Sequence, residues 1–219
     1  MSTSTQPSYV FRYFKVPGYG ETSRLLLLAS GCKWTEENPE WPQEKPNQPF
    51  GRLPVLVEKS EDGSPDFVLS ESGTIERYLA RRLGFLPSDP KKAALQEQLR
   101  DQIADVVGSY LPVAFSNYEG GKKKLEELLA KLKEVLPSAL KNNRSSVDPE
   151  GDKITYIDLC VYGMLKSMIN ISDAKTPEYS NLFRDLCTPE VTKAIANVHA
   201  HPGLQAHVAD DKKIFTVLA

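Results

Sequence analysis

Cysteine is scarce in this 219-residue chain, at three residues: Cys32, Cys160 and Cys187. An odd number without C-x-x-C spacing offers neither a disulfide framework nor a thiolate metal site. Histidine is equally scarce. His199 and His201 lie two apart in a helical pattern and face different ways, and His207 stands alone, so no metal is expected. Long apolar runs are missing too, and nothing approaches the roughly 20 residues that span a bilayer. The opening "MSTSTQPS" has no apolar stretch and reads as a flexible tail (1–8) rather than a signal peptide, which leads to an expected cytoplasmic setting. No charge of one sign dominates. The 27 basic and 29 acidic residues give a net charge of −2 and are well mixed, which excludes nucleic-acid or membrane-surface binding by bulk electrostatics. The one dense basic run (Lys122, Lys123, Lys124) opens a Leu-rich helix and reads as a solvated face. Internal repeats and a nucleophile–His–Asp set are also absent. The sequons at 143–145 and 170–172 carry no weight without secretion.

What is present divides in two. Residues 9–84 mix strand and helix signals. "YVFRYF" is β-rich, and "ETSRLLLLASG" reads as a helix stopped by Gly31. A short strand follows Pro54, Asp62-Gly63 marks a hairpin turn, "DFVLS" returns, and "SESGTIERYLARRLG" is an amphipathic helix. A further strand within "CKWTEEN" is weakly signalled. Residues 85–92, with two prolines, read as a linker, and 93–219 as all-helical. Leu95, Leu99, Ile103, Val106, Val107, Tyr110 and Leu111 form one apolar stripe. That stripe looks too extensive for a small domain to cover alone, so a homodimer is expected. Leu125 to Leu140 carry a second stripe. The apolar run 155–169 suits a helix buried on all sides, started by a Thr155/Asp158 capping box. Thr188-Pro189 opens a helix running to about His201.

Three features of the first half belong together. Tyr13 ends the first strand. Pro54 precedes a strand where it cannot sit mid-ladder, and a cis peptide there would expose the backbone groups of Leu53. Glu71-Ser72 lies at a helix N-terminus, whose free N–H groups favour an anion. Converging on one sheet edge, they would hold an extended, peptide-like ligand by its backbone and carboxylate. The plain structural alternatives are a strand tyrosine, a tryptophan (Trp41) anchoring a loop beside Pro42, and a helix cap.

The motifs "YF…G…E..R.LL" in 13–27, "W" and "K" at 41 and 45, "PFGRLPVL" in 49–56, "ESGTIERYLA" in 71–80 and "ITYIDL" in 154–159 span nearly the whole chain in order. In them the sequence resembles a cytosolic glutathione transferase of the tyrosine-type, sigma-like class. The resemblance implies an α/β plus all-α fold: a thioredoxin-like N-terminal domain for glutathione, then a helical domain walling an electrophile pocket. It makes Tyr13 the donor to the glutathione sulfur. Trp41, Lys45 and Arg52 would take the glycine carboxylate end. Leu53, ahead of Pro54 in the same glutathione-binding set, would pair its backbone with the cysteinyl backbone, and Glu71 and Ser72 would hold the γ-glutamyl end. Phe14, Tyr19, Leu111, Phe115, Cys160 and Met164 are the electrophile-site candidates. The implied activity is addition of glutathione, as co-substrate, to small hydrophobic electrophiles in detoxification, without metal or prosthetic group. A glutathione-dependent isomerase or peroxidase and a non-catalytic structural relative are the alternatives.

Some positions depart from the pattern. Pro17 and Tyr19 stand where relatives often carry an arginine. A partner-subunit aspartate that reaches glutathione in relatives falls on Ser109, with Asp105 and Asp101 one and two turns earlier. Thr22 and Ser23 are the runner-up hydroxyls should Tyr13 point away. Cys32 lies at the far end of the first helix and reads as a small buried apolar residue.

Overall fold

The computed structural model describes residues 7–60, 62–116, 118–147 and 153–215. Most of the expected tail at 1–8 lies outside them. Strand β1 (Tyr9–Arg12) buries Tyr9 and Phe11 on one face, as alternation requires. Helix α1 (Glu21–Ser30) sinks Leu25, Leu26 and Leu27 into the core and stops at Gly31, whose φ of +67° is the left-handed C-terminal conformation glycine adopts freely. It crosses to β2 (Trp34–Glu37), which pairs parallel with β1. β2 is mostly exposed, which is why its signal was weak: a sheet-edge strand needs its backbone more than apolar side chains. The hairpin of β3 (Val55–Glu58) and β4 (Phe67–Ser70) completes a sheet of order β2-β1-β3-β4, with β3 antiparallel to both neighbours. Helix α2 (Ser72–Arg82) packs back on it through Ile75 and Leu79.

The helical domain begins inside the segment expected to be linker. Helix α3 (Pro90–Ser116) starts at a proline, which lacks the N–H a first helical position leaves unused, and the Asp89 carboxylate accepts from the N–H groups of Lys91 and Lys92 at 2.8 and 3.1 Å. The α3 stripe needs two corrections. Leu95 is 50% exposed. The rest of the stripe packs on α4 (Lys122–Val147) and α5 (Tyr156–Lys175) of the same chain, with Leu99, Ile103, Val106 and Tyr110 buried. It is therefore not a free face awaiting a partner. Helix α5 is the axis of the domain, buried from Tyr156 to Ile169 and started by the expected Thr155/Asp158 box. Helices α6 (Pro177–Arg184), α7 (Pro189–Ala200) and α9 (Lys212–Phe215) pack on it, and α8 (Gln205–Val208) packs on α7. Thr188 precedes α7 but its hydroxyl makes no capping bond and is buried without a partner among the described residues.

Candidate active site at the sheet edge and the domain cleft

Strand register builds the first half of the site. Arg12, Val55 and Ser70 are direct neighbours across β1, β3 and β4. The residues just beyond them, Tyr13, Leu53-Pro54 and Glu71-Ser72, therefore emerge at one sheet edge. The Leu53–Pro54 peptide is cis, as expected, and so is Trp41–Pro42. Glu71 holds φ at +70°, the one described non-glycine residue with a positive φ, and its carbonyl accepts from Thr74 and Ile75. Backbone held in a sparse region of φ/ψ space clusters at ligand clamps. Ser72 and Gly73, the first residues of α2, have no carbonyl four residues back within the helix to receive their N–H groups.

Tyr13 is 6% exposed. Its oxygen accepts the Tyr19 N–H at 3.0 Å, and no described acceptor takes its proton. The loop crosses the ring at a distance only glycine permits: a Cβ on Gly18 would come within 2.7 Å of the Tyr13 oxygen, and one on Gly20 within 2.9 Å of ring Cγ. Arg24 fixes this loop. Its guanidinium donates to the carbonyls of Phe14 (2.6 Å) and Val16 (2.7 Å) and to Glu36 (Nε 2.7 Å), and it lies 5.4 Å from the Tyr13 ring centre. Burial pushes the Tyr13 phenol above its ordinary value, and the Tyr19 N–H and the Arg24 charge only partly oppose that. The phenol is therefore protonated at neutral pH, with its acceptor side filled and its donor side open.

The other expected ligand residues fall around this point. Phe14 packs 5.5 Å from Tyr13 and meets Trp41 edge-on at 5.6 Å, giving a continuous aromatic wall. The Lys45 stem runs along Gly51, where a Cβ would lie 3.6 Å from it, so Lys45 sits beside Arg52. Both cations are exposed, and among the described residues neither side chain has an acidic partner.

Across from the sheet edge lies a cleft between the domains. It takes in Tyr19, Cys160 and Met164 of the electrophile candidates, together with Thr22, Glu76 and Arg100. Its α3 wall is Arg100, Ile103, Ala104 and Val107, one helical face. Leu111 and Phe115 continue that face one and two turns further and do not line the cleft, and Phe115 instead lies 59% exposed under the Lys175 ammonium. Thr22 reaches the cleft, whereas Ser23 is fully buried. Burial pushes the Cys160 thiol well up, so it is inert at neutral pH. Asp101 is engaged by Arg77, while Asp105 is exposed.

Two buried charge bridges join the domains here, and the sequence reading missed both. Arg100 donates Nε and Nη2 to Glu76 at 2.7 and 3.0 Å, and the Tyr156 hydroxyl reaches Glu76 at 3.3 Å. Lys166 lies between Glu21 (2.7 Å) and Asp211 (2.9 Å). His207 also reaches Glu21 at 2.9 Å, and Tyr162 donates to Asp211 at 2.8 Å. Burial opposes ionisation of Glu21, but His207 and Lys166 outweigh it and hold the carboxyl down at about 2. One sequence signal existed: Lys166 is the sole cation in the apolar run 155–169, and a charge there demands a partner.

No group of metal-binding side chains is found among the described residues, and no described helix is long and apolar enough to cross a membrane. The family model for the glutathione S-transferase N-terminal domain matches residues 10–81, and that for the C-terminal domain matches 104–211. Glutathione S-transferase P of Pongo abelii is 31% identical over 214 residues, covering 95% of each chain. A Nu-class enzyme of Haemonchus contortus superposes with a TM-score of 0.69 at 26% identity, covering 93% of this chain and 96% of its own. Na-GST-3 of Necator americanus, described as monomeric, gives 0.58 at 27%, covering 93% and 97%. Two domain models matched in order, and a relative aligned over nearly the full length, converge with the sheet-edge geometry: the chain belongs to the glutathione S-transferase family and is a glutathione transferase.

Proposed function

We propose that Tyr13 donates its hydroxyl proton in a hydrogen bond to the glutathione sulfur, stabilising a thiolate that attacks small hydrophobic electrophiles. The observation that carries this is the phenol itself, with its acceptor side occupied by Tyr19 and its donor side open. A free thiol has a pKa of about 8.5, so only a few per cent is ionised near neutrality. One hydrogen bond to a charged acceptor contributes about 1.5–3 kcal/mol, roughly one to two pKa units. The thiol proton leaves to solvent, because a protonated phenol cannot accept it. Glutathione would lie along the sheet edge. Its γ-glutamyl end meets Glu71 and Ser72, its cysteinyl backbone pairs with Leu53 ahead of Pro54, and its glycine carboxylate meets Trp41, Lys45 and Arg52. The electrophile enters the cleft beside Tyr19, Cys160 and Met164, with Phe14 on the aromatic wall. The chemistry calls on no metal or prosthetic group.

A cytoplasmic, detoxifying role is part of this reading, as is the tyrosine-type, sigma-like placement, beside relatives whose names carry the P and Nu classes. So is a homodimer. With the α3 stripe covered, its support passes to Phe50, Phe67, Val68 and Leu95, which are 47–68% exposed. Sedimentation equilibrium at micromolar concentration tests it, and a monomer mass alone rejects it. The enzymatic reading is tested by retention on immobilised glutathione followed by conjugation of an activated aryl halide. Binding without turnover would leave a ligand-holding relative instead.

A further inference from the structure

We propose that Glu21 and His207 are positioning residues for Tyr13: the C-terminal segment, through His207, holds the Glu21 carboxylate, which holds Arg24 and with it the loop around the phenol. This rests on the glutathione reading above. Neither residue lines the cleft, so neither acts as a ligand contact. The Glu21 carboxylate is engaged from three sides. Its Oε1 accepts from Lys166 Nζ at 2.7 Å and from His207 Nε2 at 2.9 Å, and its Oε2 lies 3.6 Å from Arg24 Nη1. Glu21 is 2% exposed and Arg24 5%, so solvent screens this pair little.

Arg24 carries the hold forward. The same Nη1 donates to the Val16 carbonyl at 2.7 Å, Nη2 donates to the Phe14 carbonyl at 2.6 Å, and the guanidinium lies 5.4 Å from the Tyr13 ring centre. Its other anion, Glu36 on β2, has a side chain 32% exposed, so Glu21 is the partner that fixes the buried side. The backbone adds a second link. The Glu21 N–H bonds to the Gly18 carbonyl and closes the turn containing Tyr19, whose own N–H fills the acceptor side of Tyr13. At the far end, a Cβ on Gly203 would come within 2.6 Å of the Leu28 carbonyl, so the chain after α7 lies directly on α1. A hydrogen bond weakens steeply with misdirection, and a reacting group is held in line by the residues behind it. A small drift of the phenol therefore weakens its bond to sulfur while the contacts that bind the rest of the peptide remain.

The test titrates the thiol of bound glutathione by its ultraviolet absorbance in wild type, H207A, H207Q, E21Q and Y162F, with Y13F as the reference. The His207 side chain is 28% exposed, so H207A removes a contact without opening the core. H207A should raise the thiol pKa by about half a unit, roughly threefold less thiolate near neutrality, and lower turnover in step, with glutathione affinity within about twofold. E21Q should raise it by about one unit. H207Q, whose amide still donates to Glu21, should restore most of the wild-type curve. Y162F removes the 2.8 Å donor to Asp211 on the same segment but no partner of Glu21. It should lower the urea midpoint and leave the titration unmoved. An H207A curve superimposable on wild type, or a Y162F shift equal to that of H207A, overturns the proposal. A Y13F curve superimposable on wild type overturns the reading of Tyr13 as donor to sulfur, a different result.

Discussion

The two charge bridges between the domains are alike in burial and unlike in their relation to the cleft. Lys166 is enclosed by Glu21 and Asp211, with His207 and Tyr162 closing the far sides of those carboxylates. Arg100 is clamped on Glu76 through two corners only, and both residues line the cleft. A buried ion pair is by itself weak evidence of function, since its attraction is largely offset by desolvation. What separates the two is the cleft, which Arg100 and Glu76 line and Lys166, Glu21 and Asp211 do not. The first bridge fastens α1 and the C-terminal segment to α5; the second fastens α2 to α3 and forms part of the cleft wall.

The largest expected effect breaks the closed bridge. Lys166→Met removes the cation that the buried Glu21 and Asp211 carboxylates share and should cost about 3–5 kcal/mol in urea denaturation. Its Michaelis constant for glutathione should stay within a few-fold. A stable protein with weakened glutathione binding would erase the distinction. Next comes acid. Glu21 has a folded pKa of about 2 against an ordinary 4.5. Its stabilisation is therefore complete above pH 4.5 and is lost as pH falls towards 2, on the order of 3 kcal/mol. Glu21→Gln should flatten that part of the pH–stability curve; an unchanged acid limb would remove Glu21 from the account. The smallest effect sharpens the contrast between enclosed and open cations. Lys45→Ala and Arg52→Ala should each raise the Michaelis constant for glutathione roughly fivefold, about 1 kcal/mol, with turnover within a few-fold, because their proposed contact with the substrate would be the same in ground and transition states. A fall in turnover at unchanged affinity would put them near the sulfur instead.

The same contrast explains what could be read from the sequence. Local chemistry was legible: the Gly31 stop, the Thr155/Asp158 box, the Pro54 that leads a strand, and through them the sheet edge that gathers Tyr13, Leu53 and Ser72. Features set by distant packing were not. Glu21 meets His207 across 186 positions, and Tyr156 meets Glu76 across 80, separations no periodicity reveals. Leu111 and Phe115 share the face of α3 that forms the cleft wall, but the cleft ends a turn before them, where only the placement of α5 could show it. Arg24 stood in plain view ahead of four leucines, yet its work is done on loop carbonyls, which carry no side-chain signature.

The proposed function turns on the hydrogen bond from the Tyr13 hydroxyl, which keeps its proton, to the glutathione sulfur. It is tested most directly by the ultraviolet thiolate absorbance of bound glutathione, titrated against pH in wild type and Tyr13→Phe. The account predicts that the mutant curve lies one to two pH units higher, the worth of about 1.5–3 kcal/mol of hydrogen bonding, with glutathione affinity within a few-fold and turnover down at least about tenfold. Superimposable titration curves would contradict it and leave Tyr13 a strand residue, with Thr22, the runner-up hydroxyl that reaches the cleft, next to be examined.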